Sequence, residues 1–186
     1  MDREKVHLFC EKYKNKKFYQ PFIFVPGVIE IEGKWHDGTQ FLAKKILNNC
    51  DKQSVLDLGC MNGFFLFEAM KQGASEGTGI DHDLVELAIA GEINEIMDYP
   101  ITFIHTRIED FYPLKQYDIV LMLNILHIVD DPKGLIERYL QTTAKLLVVE
   151  HESKHSIYFP LDPSSSYPSP RSVGHRILSL FQVPQE

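Results

Sequence analysis

From residue 54 onward, short apolar runs alternate with longer stretches in which apolar residues recur at helical spacing. Strands are predicted at 54–58, 76–80, 101–105, 117–123 and 144–150, and helices at 64–72, 84–98 and 133–141. A run that is apolar at nearly every position suits a strand covered on both faces, and a 3.6-residue period suits a helix packed on one side. Gly73 closes the first of these helices and Pro100 follows the second. Segment 107–114 reads as a loop or a short helical turn. Strands separated by helices imply parallel β-α-β units, so the expected fold is α/β, a doubly wound and mainly parallel sheet.

On either side of this core the rhythm changes. Residues 1–17 place Val6, Phe9, Cys10 and Tyr13 at helical spacing, and 39–49 place Phe41, Leu42, Ile46 and Leu47 on one face. Between them, 18–31 is aromatic and β-branched, broken by Pro21, Pro26 and Gly27, which predicts extended pieces and turns. The polar stretch 32–38 is expected to be a loop and holds the only tryptophan, Trp35. After Glu150, prolines at 160, 163, 168 and 170 surround three consecutive serines, and 172–181 reads as one short helix. No further strand pair is evident, so the C-terminal strands of the sheet are expected to be reduced or missing. The resulting division is 1–53 as a helical and extended cap, 54–156 as a ligand-binding core and 157–186 as a Pro/Ser-rich tail. An unpaired sheet edge would admit a second copy of the chain or a partner's strand.

Composition narrows the setting without changing the fold. The chain has 186 residues, 44% apolar and 24% charged, which suits one globular domain with a sizeable core. No run of apolar residues is long enough to span a membrane, and the polar start carries no secretory h-region, so a cytoplasmic location is expected. The three cysteines, Cys10, Cys50 and Cys60, show no disulfide framework, which suits a reducing compartment. The net charge of −7 argues against an overall electrostatic grip on nucleic acid. Arg3, Lys5, Lys12, Lys14, Lys16 and Lys17 make one basic segment, better read as a solvated helix face than as an RNA-contacting patch.

The candidate chemistry begins at Asp57-Leu58-Gly59-Cys60-Met61-Asn62-Gly63, where the first strand of the core meets a tight turn and a helix. Glycines there allow a close backbone approach, and the helix start offers N–H groups to a ligand. Asp81 ends the second strand 18 residues after Gly63, close to the distance of about 20 at which an acid accepts hydrogen bonds from ribose hydroxyls. The dinucleotide pattern G-x-G-x-x-G is absent, because Met61 and Phe64 occupy its second and third glycine positions. An acid at Asp57 suits a ligand with a positive group and no phosphates, as in S-adenosylmethionine. Cys60 lies within the turn, where a small apolar residue accounts for it better than a nucleophile does.

Together these segments resemble the class I S-adenosylmethionine-dependent methyltransferases over roughly residues 54–150. The first motif is D-x-G-x-x-x-G, with Met61 standing where the family usually has a glycine and narrowing the pocket. The resemblance implies cofactor contacts from Asp57, Gly59, Cys60, Met61, Asn62 and Gly63, with Asp81 on the ribose and His82 beside it. Arg107-Ile108-Glu109-Asp110-Phe111 sits where the family lines the adenine, which implies roles for the Ile108 backbone and Glu109. Tyr117 to His127 resembles the fourth-strand motif, from which Asn124 leaves towards the cofactor. His127 is the acid–base candidate, since histidine titrates near neutrality; a structural histidine at the pocket rim is the alternative. Trp35, Gly73-Ala74, Ile108-Glu109 and Leu126-His127 further resemble methyltransferase-fold enzymes acting on the wobble uridine of tRNA.

The expected activity is methyl transfer from S-adenosylmethionine to a small-molecule or RNA acceptor. The alternative is a non-catalytic cofactor- or partner-binding module with a truncated methyltransferase fold. One motif points elsewhere: His151-Glu152-Ser153-Lys154-His155 reads H-E-x-x-H, the zinc-peptidase pattern. It follows a predicted strand instead of lying within a helix and has no evident third ligand, so no metal site is expected.

Overall fold

The computed structural model describes residues 2–25, 29–34, 36–48, 50–152, 154–155, 159, 163–168 and 176–183. The core strands are β3 (Ser54–Leu58), β4 (Glu76–Asp81), β5 (Ile101–His105), β6 (Tyr117–Leu123) and β7 (Thr143–Glu152). They lie in the order β5-β4-β3-β6-β7 and are all parallel. Helices α3 (Phe64–Lys71), α4 (Leu84–Met97) and α5 (Pro132–Thr142) connect them. Alternate strand residues feed two separate cores: Val55, Ile119, Leu121 and Val148 pack with α2 (His36–Leu47) and α3. Leu56, Leu58, Val120, Met122, Leu147 and Val149 pack with Leu135, Ile136 and Tyr139 of α5. This two-faced burial explains why the strands read as continuous apolar runs.

Helix ends follow local chemistry. Asp83 caps α4 by accepting from the Val85 and Glu86 N–H groups, and Asp98 ends it in the left-handed conformation. Asp131 caps α5, with Pro132 in its first turn where a missing N–H costs nothing. At the amino ends of β3 and β6, the Asp118 carboxylate accepts from Ser54 N–H (2.8 Å) and Oγ (2.9 Å) and pairs with Lys145 (3.0 Å).

The structure corrects the expectation at the C-terminus. β8 (Ser165–Pro168) and β9 (Arg176–Gln182) extend the sheet to β5-β4-β3-β6-β7-β9-β8, so its C-terminal strands are neither reduced nor missing. β9 runs antiparallel to both neighbours. The expected helix at 172–181 is therefore a strand over its described part, and the edge of β7 that was expected to be open is covered by β9. Two features hid the pair. β8 ends on a proline, which only an edge strand tolerates, and β9 buries a serine, Ser179, amid its apolar residues.

The N-terminal segment, expected as a cap, shares a third apolar cluster with α3 and α4. α1 (Arg3–Tyr13) and the antiparallel hairpin of β1 (Phe22–Val25) and β2 (Ile29–Ile31) meet α4 through Val6, Phe9, Phe22, Phe24, Phe67, Ile89 and Ile93. Three of the six basic residues in 1–17 are paired: Lys12 with Glu92 (2.7 Å), Lys14 with Glu11 (3.1 Å) and Lys16 with Glu86 (2.6 Å). α2 begins at His36, so part of the stretch expected to be a loop is helical. Trp35 lies outside the described residues.

Candidate functional site

Strand β3 has β4 on one side and β6 on the other, so the connections leave it in opposite directions. Such a switch point opens a crevice beyond the carboxyl ends of the strands. A cavity of about 300 Å³ lies there, its wall including Asp57, Gly59, Met61, Asp81, Asn124 and His127. A second cavity, about 310 Å³, is lined by His82, Arg107, Ile108, Glu109, Ile128 and Val129. His82, Ile108 and Ile128 border both.

The turn after β3 is built by hydrogen bonds to β4. Gly59 N–H (2.8 Å) and Cys60 N–H (3.0 Å) both donate to the Ile80 carbonyl. Met61 N–H donates to Asp81 Oδ2 (2.7 Å), and Asp83 N–H donates to Asp81 Oδ1 (2.8 Å). Asp81 is 5% exposed and held at both oxygens by backbone amides, which fixes its orientation at the cavity wall. The glycines serve the fold more directly than a ligand. A Cβ at Gly59 (φ +76°) would stand 2.9 Å from Ile125, and one at Gly63 (φ +81°) 2.9 Å from Phe103. Met61 adopts φ +49°, the left-handed conformation usually left to glycine. The turn therefore keeps its path although the middle glycine of the family pattern is replaced.

Most of the sequence-predicted residues converge. Asp57, Gly59, Met61, Asp81, His82, Ile108, Asn124 and His127 line the first cavity, and Glu109 lines the second. Asn124 sits at φ +62°, its N–H bonded to the Glu150 carbonyl at 2.9 Å, so β7 helps to hold it. Cys60, Asn62 and Gly63 are not part of either described wall. Cys60 is 1% exposed, and its Sγ fills the space that a Cβ at Gly79 would need. Burial, then the Asp57 and Asp81 charges, push its thiol well above the usual range, which makes it a packing residue and no nucleophile. Glu109 is shifted the other way. Burial raises its carboxyl, but its own backbone N–H, Arg107 and the Asp130 backbone outweigh that and hold it below the ordinary range. Arg107 reaches Glu109 at 3.5 Å and the exposed Asp130 at 3.9 Å.

Several lining residues escaped the sequence reading: Tyr19 and Gln20 from the cap, Phe65 on α3, and Asp83 and Glu86 at the start of α4. Asp83 was legible as a helix cap; Tyr19 and Gln20 carried no signal, because only the packing of the cap brings them to the strand ends.

The H-E-x-x-H residues do not make a zinc-peptidase site. His151 lies on strand β7 and is 1% exposed. Its Nδ1 meets the Glu152 carbonyl at 2.7 Å and its Nε2 the Ser179 Oγ at 2.9 Å, so both ring nitrogens are engaged. Ser166 Oγ continues the chain to Ser179 at 3.1 Å, linking β7, β9 and β8. Among the described residues no group of three or more His, Cys, Asp or Glu is arranged to hold a metal ion.

Residues 55–148 match the family described as "Methyltransferase domain". The chain belongs to that family. It is similar to the tRNA U34 carboxymethyltransferase of Campylobacter jejuni, 24% identical over 110 residues, which are 58% of this chain and 38% of that protein. It is also similar to the ubiquinone biosynthesis O-methyltransferase of Proteus mirabilis, 32% identical over 87 residues, 45% of this chain and 35% of that protein. The chain thus spans well under half the length of these relatives. Among solved structures, the N-methyltransferase NodS of Bradyrhizobium japonicum in complex with S-adenosyl-L-homocysteine superposes with a TM-score of 0.67 at 16% identity, over 80% of this chain and 86% of that one. At that identity the likeness is one of fold.

Proposed function

We propose that the chain binds S-adenosylmethionine across the paired cavities and transfers its methyl group to a small-molecule or RNA acceptor. The observation that carries this is the charge of the first cavity. Asp57, Asp81, Asp83 and Glu86 line it, and no lysine or arginine does among the described residues. An acidic, phosphate-averse pocket suits a ligand that carries a sulfonium and an ammonium group.

The residues present fit that ligand part by part. Asp81 Oδ1 takes the Asp83 N–H and has His82 Nδ1 at 3.5 Å, while Oδ2 takes only the Met61 N–H and keeps a lone pair for a ribose hydroxyl. Ile108 and Ile128 offer apolar walls for the adenine, with the ionised Glu109 beside them as an acceptor for its amino group. Asp57, Gly59 and Met61 wall the amino-acid end, and Asn124 stands opposite on the loop after β6. When bound, the sulfonium supplies an electrophilic methyl, and the protein's main task is to align an acceptor with it. His127, exposed and bordering the cavity, is placed to take the acceptor's proton. Cys60, Asn62 and Gly63 act through the shape of the turn.

Two finer points belong to the same reading. Among the described residues no helix is long and apolar enough to cross a membrane, and we place the protein in the cytoplasm, where its three free thiols stay reduced. With β9 covering β7, association with a second copy or a partner strand is left to the outer strands β5 and β8. The binding-module alternative lost its support when the missing strands were found.

Calorimetry with S-adenosylhomocysteine, followed by labelled methyl donor with RNA and metabolite pools, tests the proposal. Binding and label transfer are expected, and His127→Ala should lower kcat by about 100-fold or more while leaving donor affinity unchanged. A chain with no affinity for the donor or its product refutes the reading.

A further inference from the structure

Gln20, like Asn62 in the turn after β3, is a buried side chain whose amide oxygen meets no partner, and of the two only Gln20 lines the first cavity. It is 5% exposed, it lines the first cavity, and its Oε1 has no hydrogen-bond partner. A buried amide oxygen left unpaired costs about 1–3 kcal/mol, so its position calls for a donor. Gln20 belongs to the N-terminal cap, and its backbone is tightly held. Phe18 bridges to Gly33, and Lys34 N–H donates to the Phe18 carbonyl at 3.0 Å. A Cβ at Gly33 would stand 2.3 Å from both the Gln20 carbonyl carbon and the Pro21 nitrogen. Only glycine permits that approach. The cap is tied in turn to the cavity rim, since Lys16 pairs at 2.6 Å with Glu86.

We propose that Gln20 is a cofactor-positioning residue whose Oε1 accepts a hydrogen bond from the α-ammonium group of the methyl donor, and that Gly33 holds it in place. The assignment rests on the donor reading above and proceeds by elimination. S-adenosylmethionine offers hydrogen-bond donors at three places: the adenine amino group, the ribose hydroxyls and the α-ammonium. In the donor reading Glu109 and the Ile108 backbone take the first and Asp81 the second, so the α-ammonium remains for Gln20, which shares the first cavity's wall with Asp57. A neutral amide can orient this group but cannot act as a base. The donor site is thus completed by the cap, although the family motifs lie wholly in the core.

The test compares two probes in calorimetry on the full chain: S-adenosylhomocysteine, and 5′-methylthioadenosine, which keeps the nucleoside and lacks the amino acid. Gln20→Leu is expected to weaken S-adenosylhomocysteine roughly 10- to 100-fold and to leave methylthioadenosine within about twofold. Gln20→Glu, which keeps an acceptor for the ammonium, should bind S-adenosylhomocysteine more tightly than Gln20→Leu. Gly33→Ala should reproduce the Gln20→Leu pattern from outside the cavity, with thermal unfolding used to confirm that it is folded. Unchanged S-adenosylhomocysteine affinity in Gln20→Leu, or equal losses for both probes, overturns the assignment while the donor reading stands. A wild-type chain that binds neither probe overturns both.

Discussion

Asp81 and His151 are both buried polar side chains near the carboxyl ends of strands of one sheet, β4 and β7, and each sits in a motif with a chemical meaning. They differ in what their atoms are already bonded to. Asp81 takes one backbone N–H on each oxygen, has the exposed His82 ring 3.5 Å from Oδ1, and lines a cavity. Both ring nitrogens of His151 meet oxygens of the protein, and its ring packs edge-on against Phe159. One is a site residue held in place by the fold; the other is a strut between strands. Motif identity does not separate them, but the hydrogen-bond inventory does.

Three substitutions would break or sharpen this contrast. Asp81→Ala has the largest expected effect on function: donor affinity should fall by about 1.5–3 kcal/mol, the range for a hydrogen bond with a charged partner, as read by calorimetry. Wild-type affinity would show that Asp81 is a strut after all. His151→Ala should instead lower stability by about 1–2 kcal/mol in urea unfolding, because Ser179 loses a buried partner, with donor affinity unchanged. Loss of stoichiometric zinc in that variant would reverse the assignment.

The third probes the opposite end of the sheet. Burial raises the Asp118 carboxyl, but hydrogen bonds from Ser54 and the Lys145 ammonium outweigh it and hold it below the ordinary range. A carboxyl depressed in the folded state adds stability that is present above its unfolded value and is lost as pH falls through the folded one. Asp118→Asn should therefore cost about 1 kcal/mol near neutral pH and nothing in acid below that folded value. A pH-independent difference would mean that packing, and no ionised bond, holds this corner.

Sequence legibility followed the same division. Strands β3, β5 and β6 were read to the residue: β3 and β6 are buried on both faces and so largely apolar, while the half-exposed edge strand β5 is marked off by Pro100 before it. β9 was misread because Ser179 interrupts its apolar run and is tolerated only with His151 and Ser166 beside it. The motif acids were legible as acids at strand ends. Cys60 and Asn62, expected as ligand contacts, are not part of either cavity wall, since adjacency in the turn does not say which side chains face inward.

By itself, then, the sequence determined the parallel core, its two-faced burial and the acids at the carboxyl ends of β3 and β4, because local periodicity and turn chemistry are properties of neighbouring residues. The tertiary structure alone decided the rest. It placed β9 between β7 and β8, engaged both nitrogens of His151, and carried Gln20 from the cap to the cavity wall. Each of these depends on contacts between residues far apart in the chain, where no local pattern reports which polar atom will be met and which will be left for a ligand.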